Sequence, residues 1–240
     1  MNIYVCFTCL RDLALLPLHH AALMQAVPGA PVYYVFSPAE REQARVPKGS
    51  FLVIADFPRN GNLLGLNCHL GMLRTMLFLS ERHQGAGVIK IDSDVYFRSD
   101  YFLATLGNEH DMVGVAPARE YYCKGTCYGM TRDLITKVLH YLTHGYRDLS
   151  GRLEDSTISM VAAIVSDANK VRIHNVMEEG QGEALYSVFT QQHQENPKSL
   201  LPIRGFFDCG DPIYTASSPD RTAAKEQAMR FLRQHLATDS

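Results

Sequence analysis

GVIKIDSDVYF, residues 87–97, decides how the rest of the chain is arranged. Val88, Ile89 and Ile91 form a short apolar run behind Gly85 and Gly87. That pattern predicts a strand buried in a parallel sheet. Two carboxylates follow it one residue apart, Asp92 and Asp94. In open α/β sheets the ligand crevice lies at the carboxyl ends of strands. The spacing therefore offers hard oxygen donors for a divalent cation such as Mg²⁺ or Mn²⁺, which can bridge to the phosphates of a nucleotide. An Asp in this position also forms turns or caps helices, and a bare D-x-D arises by chance in many chains. The strand directly before it, and the apolar run resumed by Val95, Tyr96 and Phe97, favour the ligand role.

The surrounding chain has 240 residues, 46% hydrophobic and 20% charged, ordinary for a globular protein whose core needs no covalent staples. Net charge is −2, from 23 Lys+Arg against 25 Asp+Glu, and no basic block stands out. Nucleic acid and anionic membranes are disfavoured partners on that balance. The start, MNIYVCFTCLRD, has no basic region before its apolar residues, and no apolar run reaches the length of a membrane span. Six cysteines lack paired CxxC spacing. Free thiols in a reducing cytoplasm are the expectation. A Cys123–Cys127 bridge would be the exception in a secreted protein.

Strands alternate with helices along the chain, which predicts an α/β fold: a mostly parallel mixed sheet flanked by helices. Ile3–Phe7, Val32–Phe36 and Phe51–Ala55 read as strands before the D-x-D strand, and Asp111–Ala116, Val171–Val176 and Ala184–Thr190 after it. Asp56 closes the third strand and either hydrogen-bonds a nucleotide base or caps a turn. Residues 63–82 form a helix with Leu66, Leu70, Leu73 and Leu77 on one face. Asn67, Gly71 and Arg74 share a neighbouring stripe. Gly71 inside a helix costs about 1 kcal/mol relative to Ala, which close approach by a ligand or another backbone would explain. Arg74 is then either a phosphate or base contact or a solvated helix residue.

YYCKGTCYGM, residues 121–130, offers Tyr121 and Tyr122 as flat surfaces for a sugar or base, with Gly125 and Gly129 letting the backbone crowd a ligand. Thr131 caps a helix. Another opens at Leu153-Glu154-Asp155, its buried stripe marked by Ile158, Val161, Ala162 and Val165. Asp155 heads that stripe and points inward, a candidate general base, although a first-turn carboxylate is also favourable dipole placement. FFDCGDPIY, residues 206–214, reads as an ordered loop, and a final amphipathic helix packs on the flank of the domain.

Taken together these pieces resemble the nucleotide-sugar glycosyltransferases of the GT-A fold, most of all the β-1,3-galactosyltransferase and Fringe group. Leu66-Asn67 through Arg74-Thr75 is similar to that family's N-L-x-x-K/R-T helix. Lys90-Ile91-Asp92-Ser93-Asp94-Val95 resembles its metal motif, and Tyr122-Cys123-Lys124-Gly125 with Tyr128 its Y-C-x-G-x-x-Y segment. Leu153-Glu154-Asp155 resembles its E/D-D motif, and His193 after Phe189 its later F-x-x-x-H. The agreement covers about residues 60–195. A compact enzyme without the membrane anchor and stem of Golgi members is the expectation.

The resemblance implies a single GT-A-like domain over 1–240. Residues 1–116 would hold the nucleotide sugar, 117–215 the acceptor and the catalysis, and 219–238 a closing helix. It implies metal-dependent, inverting transfer from a nucleotide diphosphate sugar, uridine favoured, with galactose or an N-acetylhexosamine, to a hydroxyl of a glycan. Mn²⁺ or Mg²⁺ would sit on Asp92, Asp94 and His193, with His174 the alternative third ligand. Thr8, Arg11, Asp56, Asn67, Arg74, Asp92 and Ser93 would contact the nucleotide. Tyr121, Tyr122, Lys124 and Glu154 would contact the acceptor, and Asp155 would be the base. Two rivals compete. Asp92-Ser93-Asp94-Val95 also fits the haloacid-dehalogenase-like phosphatase signature, with Asp92 as nucleophile, Asp94 as acid/base and Asp208 and Asp211 as later carboxylates. Three strands preceding the motif argue against it. A non-catalytic sugar-binding module is the other rival, and the presence of both Asp94 and Asp155 argues against that.

Overall fold

The computed structural model describes residues 2–57, 66–116, 125–145, 154–175, 184–210 and 220–236. Its strands are β1 (Ile3–Phe7), β2 (Val32–Phe36), β3 (Phe51–Ile54), β4 (Val88–Ile91), β5 (Val95–Phe97), β6 (Met112–Ala116), β7 (Cys127–Met130), β8 (Val171–Asn175), β9 (Ala184–Val188) and β10 (Ile203–Asp208). The helices are α1 (Leu16–Ala26), α2 (Leu66–Arg82), α3 (Arg132–His144), α4 (Glu154–Val165), α5 (Gln191–Glu195) and α6 (Arg221–Leu236). Seven strands form one sheet in the order β3-β2-β1-β4-β7-β6-β8. Only β7 runs against its neighbours in it. The expected α/β architecture, a mostly parallel mixed sheet flanked by helices, is what the chain adopts.

Both faces of this sheet are covered, which is why its central strands are uninterrupted apolar runs. Val5, Val35 and Val88 face a core shared with α2, α3 and α4. Tyr4, Cys6, Ile89 and Ile91 face a second core with α1 and a smaller sheet, β5-β10-β9. A third cluster ties α1 to α6 through Leu15, Leu18, Ala228 and Leu232. No helix among the described residues is long and apolar enough to cross a membrane.

Two expectations change. Residues 127–130 are a strand, inserted antiparallel between β4 and β6. Its sequence, CYGM, has no β-branched residue to signal it. Gly129 is closely packed there: a Cβ would meet the side-chain ends of Leu106 and Ile89 at 2.7 and 2.8 Å, so those ends would have to shift. Residues 203–208 are also a strand, antiparallel to β5 and parallel to β9. The loop signal of Cys-Gly-Asp-Pro begins only after Asp208. Cys127 is buried, and Cys123 lies outside the described residues.

Candidate functional site

Because β1, β3 and β4 are parallel, the residues after each of them emerge at one edge of the sheet. After β1 the chain turns through Thr8, which is buried, and Arg11, which is exposed. Glu40 fixes this turn by accepting the Leu10 N–H at 2.9 Å. The next residue, Asp12, accepts the Ser93 hydroxyl at 2.7 Å. The β1 turn and the D-x-D segment are therefore one unit, joined through a carboxylate.

The two carboxylates of the D-x-D have different partners. Lys90, 1% exposed inside β4, donates to Asp92 Oδ1 at 2.6 Å and to the Gly125 carbonyl. A buried ammonium with an anion and a carbonyl to donate to satisfies the general requirement for burying charge. Asp94 Oδ2 is held by Lys225 Nζ at 2.6 Å. The Asp94 carbonyl accepts the Cys209 N–H at 2.9 Å. A Cβ on Gly210 would lie 2.3 Å from Asp94 Oδ2, so the carboxylate rests on a backbone that only glycine leaves open. Asp208 stands beside it, accepting the Gly210 N–H at 2.8 Å and the Tyr186 hydroxyl at 3.4 Å. Burial alone would lower the Lys225 ammonium, but Asp94, with Asp12 and Asp208 behind it, outweighs burial and holds it above its ordinary value. Burial first, then Asp92, Asp12 and Asp94 for Cys6 and Asp208 and Asp94 for Cys209, push these thiols up, which keeps them as inert neutral groups.

At the end of β3, Asp56, Asn67, Gly71, Arg74, Thr75 and Phe78 line an open pocket of about 460 Å³. The predicted nucleotide contacts on α2 and β3 are thus brought together. Gly71 has a different reason from close approach by a ligand or backbone: a Cβ there would lie 2.2 Å from the Phe57 ring. Sheet order sets this pocket three strands from the D-x-D, about 14 Å along the edge.

Asp155 is half-buried at the head of α4, as its stripe predicts. Its Oδ2 accepts the Gly125 N–H at 3.0 Å and its Oδ1 the Ser156 N–H at 2.7 Å. Each carboxylate oxygen has a second lone pair, so the group can still accept a proton. Gly125 is crowded by this carboxylate, 3.2 Å from where its Cβ would stand. Tyr121, Tyr122, Lys124, the Glu154 side chain and Asp211 lie outside the described residues.

His193 is placed as a helix cap. Its Nδ1 accepts the Thr190 N–H at 3.1 Å, and its ring stacks on Phe189 and meets Phe207 edge-on. Burial lowers its pKa. With Nδ1 engaged by Thr190, Nε2 is the ring nitrogen left for any further partner. His174 belongs to β8, pairing with Val115, three strands from β4. Among the described residues no group of three or more His, Cys, Asp and Glu is set to hold a metal ion. A small hard cation that keeps its waters needs only one or two carboxylates plus substrate phosphates, and Asp92 and Asp94 fit that requirement.

Asp12 and Lys225 are functional candidates beyond those expected from sequence. A signal for Lys225 exists: it falls at i, i+3, i+4, i+7 and i+11 with the buried Ala228, Met229, Leu232 and Leu236, so helical period places it on the packed face of α6. Asp12 lies one residue past the expected Thr8–Arg11 turn. No protein-family model and no curated protein matches this sequence.

Proposed function

We propose that the protein is a glycosyltransferase of the GT-A type, moving a hexose from a nucleoside diphosphate sugar, uridine favoured, to a hydroxyl of a glycan. The observation that carries this reading is convergence on one sheet edge. The D-x-D, the Asp12 turn, the pocket of Asp56, Asn67 and Arg74, and the half-buried Asp155 all lie along it. Three strand spacings, about 14 Å, separate the ends of β3 and β4, the scale of a nucleoside with its diphosphate, base at β3 and phosphates at β4.

Asp94, with Asp92 beside it, would hold Mn²⁺ or Mg²⁺, whose chemistry when bound is to neutralise charge building on the diphosphate leaving group. Asp155 accepts the proton of the acceptor hydroxyl as its oxygen attacks the anomeric carbon and the bond to the diphosphate breaks. A single displacement of this kind inverts the anomeric centre. Gly125 fixes the carboxylate through its N–H, and Lys90 fixes Gly125.

A thermal-shift panel of uridine, guanosine and cytidine diphosphates, with and without Mn²⁺, tests this directly. A ligand at 100 times its dissociation constant adds about 2.7 kcal/mol. Uridine diphosphate with Mn²⁺ should give the largest shift, and slow nucleotide release from the sugar donor should accompany it. Release of inorganic phosphate from simple phosphomonoesters instead would favour the Asp92-nucleophile phosphatase.

A further inference from the structure

The geometry points to Lys225 as a phosphate-binding residue: it grips Asp94 while no anion is present and transfers its ammonium to the diphosphate when nucleotide enters. This deepens the donor reading and rests on it. Three observations carry it. First, the crevice is rich in carboxylates, with Asp12, Asp94 and Asp208 all acting on Lys225, so a diphosphate arriving there is helped by a cation supplied by the chain beside any bound metal. Lys90 cannot move to it, being fully buried and committed to Asp92 and Gly125.

Second, the packing of α6 aims Lys225 at the crevice. The ammonium sits on the buried stripe of the helix, yet its side chain is 20% exposed, so the tip reaches solvent that a ligand can replace. Third, of the two partners in the 2.6 Å pair, Asp94 is the fixed one. Its backbone carbonyl is tied to Cys209 and its carboxylate lies against Gly210. Lysine is a point charge on a flexible four-carbon stem. When an anion competes, the lysine moves, and its departure leaves Asp94 open to the cation.

Calorimetric titration of uridine diphosphate into the full chain, in EDTA and in Mn²⁺, tests the assignment with Lys225→Met, Lys225→Arg, Asp94→Asn and the double variant Asp94→Asn/Lys225→Met. Losing a charge-assisted contact to phosphate should weaken binding about tenfold or more in Lys225→Met, and Lys225→Arg should recover most of it. In EDTA, Asp94→Asn should tighten binding, because the ammonium is released, and the double variant should bind no better than Lys225→Met. The double variant carries no orphaned charge, so it reads the effect even where Lys225→Met folds poorly. Lys225→Met within twofold of wild type in both conditions, or Asp94→Asn tightening binding equally with and without Lys225, overturns the assignment while leaving the donor reading intact. Wild type that binds no nucleoside diphosphate in either condition overturns both.

Discussion

Gly125 donates its backbone N–H to Asp155 Oδ2 at 3.0 Å. Its carbonyl accepts from Lys90, so one residue couples the D-x-D strand to the head of α4. Asp155→Asn keeps the size of the side chain and one acceptor oxygen for this link, and removes the proposed base. Turnover should fall by about 10²–10⁴-fold with nucleotide affinity unchanged. Near-normal turnover in that variant would mark Asp155 as a helix-start acceptor only.

Asp94→Ala removes the carboxylate proposed to hold the divalent cation. Calorimetry of uridine diphosphate should then show no gain in affinity on adding Mn²⁺. A variant that keeps the Mn²⁺-dependent gain would place the metal elsewhere.

Lys90→Met is a test of the buried link between Asp92 and Gly125. It takes the Lys90 donor from a half-buried carbonyl and the Lys90 ammonium from a half-buried carboxylate, at a cost of about 1–3 kcal/mol. For a chain of this size each kcal/mol lowers Tm by about 2–4 °C. Scanning calorimetry should also find Lys90→Ala no more stable than Lys90→Met. An unchanged Tm would show that Asp92 and Gly125 find other partners.

Gly71→Ala separates packing from ligand contact. A Cβ at 71 meets the Phe57 ring at 2.2 Å, so overpacking of about 1–3 kcal/mol is expected, against a helix-propensity gain of about 1 kcal/mol. Chemical denaturation should show a net loss for Gly71→Ala that shrinks in the double variant Phe57→Ala/Gly71→Ala. If the double variant shows no relief, the collision with Phe57 is not what requires the glycine.

Stability should fall with acid through His19. The ring is fully buried against Tyr34, Nδ1 to hydroxyl 2.9 Å. Burial, then neighbouring His20, push its pKa down to about 3, with Asp94 opposing. The folded state keeps the ring neutral while the unfolded chain protonates it below about pH 6.5. Its contribution is therefore fully present above pH 6.5 and is lost as pH falls from there toward 3. Linkage gives a loss of about 2 kcal/mol between pH 7 and pH 5. Urea unfolding at the two pH values should show a smaller difference for His19→Gln. An equal difference would assign the acid sensitivity to other groups.

The parallel strands and the amphipathic α2 and α4 were legible because their signals are local. A strand covered on both faces must be apolar throughout, and a helix with one buried face must repeat every three to four residues. Asp92 and Asp94 at a strand end, Asp155 at the head of a stripe, and the group Asp56, Asn67 and Arg74 were legible for the same reason. The strand at 127–130 was hidden because its residues are there for packing between neighbours, Gly129 against Leu106 and Ile89.

By itself, then, the sequence determined the α/β class, the buried strands and which carboxylates end them. What only the tertiary structure decided is the company those carboxylates keep. Lys225 reaches Asp94 across 131 residues of chain and Asp12 reaches Ser93 across 81. His193 turns back to cap its own short helix. Contacts at such separations follow from how α1, α6 and the two sheets close on one another. Periodicity reports which face of an element is buried, and the fold alone reports against what.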